Sequence, residues 1–186
     1  MRIYEILSER ISTEITPNNT LTAENSGFDI SKIWYHGSPK KFTKFKEPKE
    51  GKGIEELGSG IYLTGLKNYA SMWSGNSGFI YECYVRKGPI FNHSIPINNQ
   101  LITKMHNGHS DLMNSKFGPN SAYDINSFKK LFKERGYIRT ISGNRISPFF
   151  LKLAGFIGAI DHTSQIPDQI VIFNPNDVFI AARTQV

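Results

Sequence analysis

With 186 residues, 39% of them apolar and 12% aromatic, the chain can bury one substantial core and is close to the usual size of a single domain. Its one cysteine, Cys83, excludes an internal disulfide framework and a cysteine-cluster metal site, and no run approaches the roughly 20 apolar residues of a membrane-spanning helix. Twenty-two Lys and Arg against 16 Asp and Glu give a net charge of +6, which favours phosphates or acidic partners without choosing among an anionic cofactor, a nucleic acid and an acidic protein.

Taken in chain order, the first eleven residues set Ile3, Ile6, Leu7 and Ile11 at helical spacing against Arg2, Glu5, Glu9 and Arg10, which predicts a short amphipathic helix. The acids in "MRIYEILSERISTEI" stand where a secretory leader would be greasy, so a cytoplasmic protein is expected. The breaker-rich "TPNNTLTAENSGFD" reads as a linker or loop. The division expected is therefore an N-terminal helix and linker over 1–30 and a main domain over 31–186.

In the main domain, "IWYHG", "GIYLTG", "FIYECYVRKGPIF" and "QIVIFNPNDVFIAA" are strand-like, and Cys83 within the third is expected to be buried. "LKNYASMW" sets Tyr69 and Trp73 one helical turn apart. Residues 92–124 contain His93, His106 and His109. Their Gly-Asn composition and the lack of cysteine or a matching carboxylate predict an ordinary polar insertion, with no metal site. "INSFKKLFKERG" puts Ile125, Phe128, Leu131 and Phe132 on one helical face and ends at Gly136, and "SPFFLKLAG" starts on a Ser147 cap with Pro148 in the first turn. Strands and helices alternate without a βαβ rhythm, so the fold class is α+β.

Four groups of residues stand out in this order: "WYHGSPKKF" around His36; "GSGIYLTGLKNYASMW", in which Trp73 follows Tyr62 by eleven positions; "YECYVRKGPIF"; and "LAGFIGAID" followed by "DQIVIFNPNDV". From about Trp34 to Val178 the chain resembles the ADP-ribosyltransferase superfamily, in its histidine-tyrosine-glutamate branch of diphtheria-like toxins, poly(ADP-ribose) polymerases and small phage and bacterial transferases. The resemblance implies a split β-sandwich with flanking helices that grips NAD+ as substrate.

It further implies roles for named residues. His36 holds a ribose hydroxyl; Gly37 offers its backbone to the carboxamide; Ser38 and Gly60 line the site. Tyr62 and Trp73 sandwich the cationic nicotinamide by stacking and cation–π attraction. The family's glutamate, which meets the oxocarbenium-like charge of the breaking glycosidic bond, is matched by Gln169. An amide still bonds a hydroxyl but brings no charge, and one such group is worth about 10²–10³ in rate. Asp168 is the nearest substitute carboxylate and needs a bulge to reach the same face. Glu55 and Glu56 are further candidates, and Pro167 replaces the second acid of arginine-directed members.

The functional expectation is a monomeric, host-targeting mono-ADP-ribosyltransferase of phage type, acting in the host cytoplasm on a macromolecule. A catalytically silent NAD+-binding or partner-binding module and an NAD+ glycohydrolase are the alternatives. A basic surface permits nucleic acid, but the sequence shows no aromatic and basic strip of the kind single-strand binders use, which favours protein over nucleic acid as acceptor. The N-terminal helix is expected to dock on the domain, and its "LSE" resembles sites cut during phage head maturation, with packaging in a virion as the other reading. Lys40, Lys41, Lys44 and Lys46 read as a solvated face or a pyrophosphate contact.

Overall fold

The runs rich in β-branched and aromatic residues form strands in the computed structural model, which describes residues 12–13, 17–47, 56–140, 143–162 and 168–186. The predicted helix over the first eleven residues, Glu55 and Pro167 lie outside the described residues. Ten strands and five α-helices follow one another as β1 (Ser12–Thr13), α1 (Pro17–Asn25), β2 (Phe28–Ser38), β3 (Ile61–Thr64), α2 (Lys67–Ser74), β4 (Phe79–Arg86), β5 (Ile90–Asn92), α3 (Asn99–Phe117), α4 (Ile125–Arg135), β6 (Tyr137–Thr140), β7 (Gly143–Ile146), α5 (Pro148–Leu153), β8 (Gly158–Ile160), β9 (Gln169–Ile172) and β10 (Val178–Gln185). The α+β class expected from the sequence is the class observed. No helix among the described residues is long and apolar enough to cross a membrane.

Eight strands make one sheet in the order β1-β10-β4-β2-β3-β9-β8-β5, and β6 and β7 form a separate hairpin. All neighbours are antiparallel except β5 and β8. The junction at the centre is thin. β2 and β3 pair only through Tyr35 and Thr64, so the sheet is two four-stranded halves hinged at one residue pair.

Alternation along the strands assigns the two faces. Trp34, Tyr81, Cys83, Ile61, Leu63, Ile170 and Ile172 form one core cluster, backed by Phe42 and Phe45 from the segment after β2. On the other face Val171 and Ala159 join Leu101 and Met105 of α3, Phe128 and Phe132 of α4, and Phe150 and Leu151 of α5, with Tyr62 packed against them. α1 covers the β10–β4 end through Ala23, Phe28, Tyr84 and Ala181.

Two sequence expectations fail here. The segment read as a linker contributes α1 and the start of β2, and the boundary placed at residue 31 falls inside that strand. Asn19 donates to the Ala181 carbonyl, and Ala23 is fully buried: tertiary packing supplies what the poor helix formers of "PNNTLTAEN" lack. Residues 92–124, read as a polar insertion, hold the 19-residue α3, capped by Asn98, whose side chain accepts from Leu101 N. Its buried positions Leu101, Met105 and His109 follow one another at turn spacing, and the stripe becomes polar at "HNGH".

The helices at 125 and 148 form as predicted, with Asp124 and Ser147 as N-caps. Gly136 ends α4 as expected, and close packing is what requires glycine there. Its φ is −72°, and a Cβ there would stand 2.4 Å from the Phe132 ring.

Candidate functional site

The hinge of the sheet gathers most of the residues singled out by the sequence. His36 follows Tyr35 on β2, and one step beyond the Tyr35–Thr64 pair the two strands part. There the imidazole Nδ1 lies 2.9 Å from the Tyr62 carbonyl. A carbonyl can only accept, so Nδ1 carries the proton and Nε2 the lone pair. The ring packs edge-on against Phe45, 5.0 Å between centroids, and lies near Phe42 and Tyr81. Burial holds its pKa below the usual histidine value, so the ring is neutral at pH 7.

Tyr62 points to the opposite face from His36. Its hydroxyl donates to the Gly58 carbonyl at 2.8 Å and accepts from Leu57 N at 2.8 Å, which fixes the ring against the glycine turn. Gly58 needs to be glycine, since its φ is +86° and Pro148 would meet a Cβ at 2.6 Å. Gly37 is explained by packing: a Cβ would stand 1.8 Å from the Ala70 carbonyl of α2. Close approach of that helix, and not only room for a ligand, excludes a side chain there. A Cβ at Gly60 would likewise strike Val171 at 2.2 Å. Ser38 accepts through Oγ from Lys40 N at 3.1 Å. Trp73, on α2, is 60% exposed.

Gln169 faces Thr64 across β3 and β9, and both share the face of Tyr62 and Val171. Both are buried, and the Gln169 Oε1 has no hydrogen-bond partner among the described residues. An unpaired buried carbonyl costs about 1–3 kcal/mol, so a strand that keeps one calls for an explanation. Asp168 lies just before the strand with φ +55°, its carboxylate 3.3 Å from Lys32 and its carbonyl accepting from Gly65 N. It is turned to the rim and does not stand in for a carboxylate at position 169. Glu56 is half-buried in the turn before Leu57, and Lys40, Lys41, Lys44 and Lys46 are exposed.

A polar cluster that sequence reasoning missed lies one strand away. β8 and β9 pair through Ile160 and Ile170, and the next positions on the two strands are Asp161 and Gln169. Asp161 is buried in an ion pair with Arg145 of β7, and Ser94 Oγ approaches its other oxygen at 3.5 Å. His93 is held beside them by the bond from its N to the Ile160 carbonyl. Burial and the Arg145 charge push its pKa down to about 4 against the opposing pull of Asp161. These residues come from three separate stretches, so only the fold brings them together. The signal available in the sequence was an aspartate ending the apolar run "GFIGAID".

The two main surface hollows lie elsewhere. One of about 230 Å³ sits between β5 and the start of α3, and one of about 480 Å³ is bordered by Phe45, Arg86, Asn176 and Ile180. Among the described residues no three His, Cys, Asp or Glu side chains group as metal ligands. No protein-family model matches the chain, and no curated protein sequence matches it significantly.

Proposed function

We propose that the chain is a mono-ADP-ribosyltransferase of the histidine-tyrosine-glutamate type, with NAD+ bound at the hinge between the two halves of the sheet. The observation that carries this reading is the buried Gln169 Oε1 at the hinge, without a partner among the described residues, on the face of Tyr62 and two pairs along the β3–β9 ladder from it. A ribose hydroxyl would satisfy that acceptor. The neutral His36, on the opposite face from Gln169, has Nδ1 committed to the Tyr62 carbonyl and so holds β3 in place at the hinge. Trp73 on α2 and Tyr62 on β3 supply aromatic faces for a cationic nicotinamide. The hinged sheet supports the split sandwich that the sequence resemblance implies.

In the reaction the bond from ribose C1′ to the nicotinamide nitrogen breaks and nicotinamide leaves with the electron pair. The acceptor forms the new bond to C1′ and gives up its proton. Gln169 orients the ribose without compensating the developing charge. One observation favours a silent NAD+-binding module as the second reading: the nearest buried carboxylate, Asp161, is already neutralised by Arg145.

The test is incubation with NAD+ labelled in the adenylate portion and, separately, in nicotinamide, with and without host lysate. Transfer of label to a macromolecule supports the transferase; nicotinamide release without transfer indicates a glycohydrolase. Saturable binding without turnover indicates the silent module, and absence of binding removes the NAD+ reading.

A further inference from the structure

We propose that α4, the β6–β7 hairpin and α5 together form a binding face for single-stranded nucleic acid. Residues 125–155 carry seven basic side chains against the single acid Glu134, a surplus of six that equals the net charge of the entire chain. The rest of the protein is therefore balanced, and the attraction for a polyanion is concentrated in one folded unit. Lys129, Lys130, Lys133, Arg135, Arg139 and Lys152 are all exposed, and none pairs with a carboxylate among the described residues.

The same stretch exposes two aromatic rings. Tyr137 is 41% exposed and Phe149 46%. Tyr137 rests on Phe132 at 5.2 Å, Phe149 on Phe150 at 5.1 Å, and the two supporting rings are 5.3 Å apart. Ser147 N donates to the Gly136 carbonyl, which ties the start of α5 to the end of α4. The exposed rings thus rest on two adjoining buried rings, in a stretch whose three elements also carry the exposed cations. Cations alone would serve any polyanion, whereas exposed rings add stacking surface for unpaired bases, which a duplex hides and an acidic polypeptide lacks.

These residues all lie within one stretch of chain, but which of its rings and cations are exposed is set by the fold, and reading along the chain favoured a protein partner. On its inner side the hairpin places Ile138 over Gly58 and pairs Arg145 with Asp161, so the face adjoins the hinge. Nucleic acid as the acceptor of ADP-ribose would rest on the transferase reading; the binding itself requires no NAD+.

Fluorescence anisotropy of the full chain with fluorescein-labelled 20-nucleotide RNA and DNA single strands, between 50 and 200 mM salt, tests it. The expected dissociation constant is on the order of 1–100 μM, weakening with salt by a log–log slope of about 0.7 per phosphate neutralised. Replacing Lys130, Lys133 and Arg139 together by Gln is expected to weaken binding at least about tenfold and to reduce the slope by about 2. Tyr137→Ala with Phe149→Ala is expected to weaken binding about tenfold with the slope unchanged. Melting curves accompany both variants. The proposal is overturned if the triple variant stays folded and binds as tightly as the natural chain, if the double aromatic variant does so, if duplex binds more tightly than single strand, or if poly-glutamate competes as well as RNA and DNA.

Discussion

His36 Nδ1 donates to the Tyr62 carbonyl at the position where β2 and β3, paired only through Tyr35 and Thr64, come apart. The imidazole takes the place of the backbone donor that a continued ladder would have provided. One side chain thus joins the two half-sheets. The glycine after it lets α2 lie directly on the strand.

Structural and ligand-binding roles should therefore separate between His36 and Trp73. His36→Ala removes the Nδ1 donor to the Tyr62 carbonyl and leaves a void beside Phe42, Phe45 and Tyr81, so denaturant unfolding should show a loss of about 1–3 kcal/mol. Trp73 is mostly exposed, and Trp73→Ala should stay within about 0.5 kcal/mol of the natural stability. By calorimetric titration it should lose roughly two- to fivefold in NAD+ affinity, as for an exposed cation–π contact. Unchanged NAD+ affinity in the Trp73 variant would remove the sandwich from the mechanism.

The Arg145–Asp161 pair ties the hairpin to the end of β8. Removing one partner leaves a buried charge without its counter-charge, so Asp161→Asn or Arg145→Met should each cost about 3–5 kcal/mol by urea unfolding. The double replacement should recover much of that loss. If each single variant unfolds at the same urea concentration as the natural chain, the pair is not a structural link.

His93 makes stability depend on pH. Its pKa is about 4 in the folded protein and 6.5 for an ordinary histidine, so between those values the unfolded chain binds more protons. The contribution is fully present above pH 6.5 and is lost as pH falls toward 4. His36 and His109, both lowered by burial, act in the same direction. The melting temperature should fall between pH 7 and pH 4.5, and His93→Gln should flatten that fall. A profile equally steep in the variant would assign the effect to other groups.

How much of this was legible in the sequence follows from how local each signal is. β3, β4, β9, α4 and α5 are marked by composition, caps and a dominant apolar face, all within a dozen residues. α1 and α3 were missed because their apolar stripes are thin and their stability comes from contacts far along the chain, such as Asn19 with Ala181. The same holds at the site. His36, Tyr62 and Gln169 could be named from their motifs, but that His36 and Tyr62 point to opposite faces depends on strand register. Asp161 beside Gln169 depends on a ladder between distant strands, and no spacing rule encodes Arg145 as its partner.

Gln169 is the residue at which chemistry and burial can be separated. Gln169→Glu puts a carboxylate into a buried position whose acceptor oxygen has no partner among the described residues. If the ribose of NAD+ occupies the hinge, the new charge stands beside the developing oxocarbenium, and release of nicotinamide should rise by about 10²–10³. Burial raises a carboxyl pKa, so the gain should appear only as pH climbs past the ordinary carboxylate range. Without ligand the same charge is uncompensated, and the melting temperature of the variant should fall at neutral pH and recover when NAD+ is added. Gln169→Ala removes the amide that orients the hydroxyl and should lower whatever turnover the natural chain has. Equal turnover in the natural chain and both variants, with NAD+ binding intact, would place the reacting ribose away from Gln169. Loss of stability without recovery on adding NAD+ would make Gln169 a strand residue whose unpaired oxygen has no role in binding.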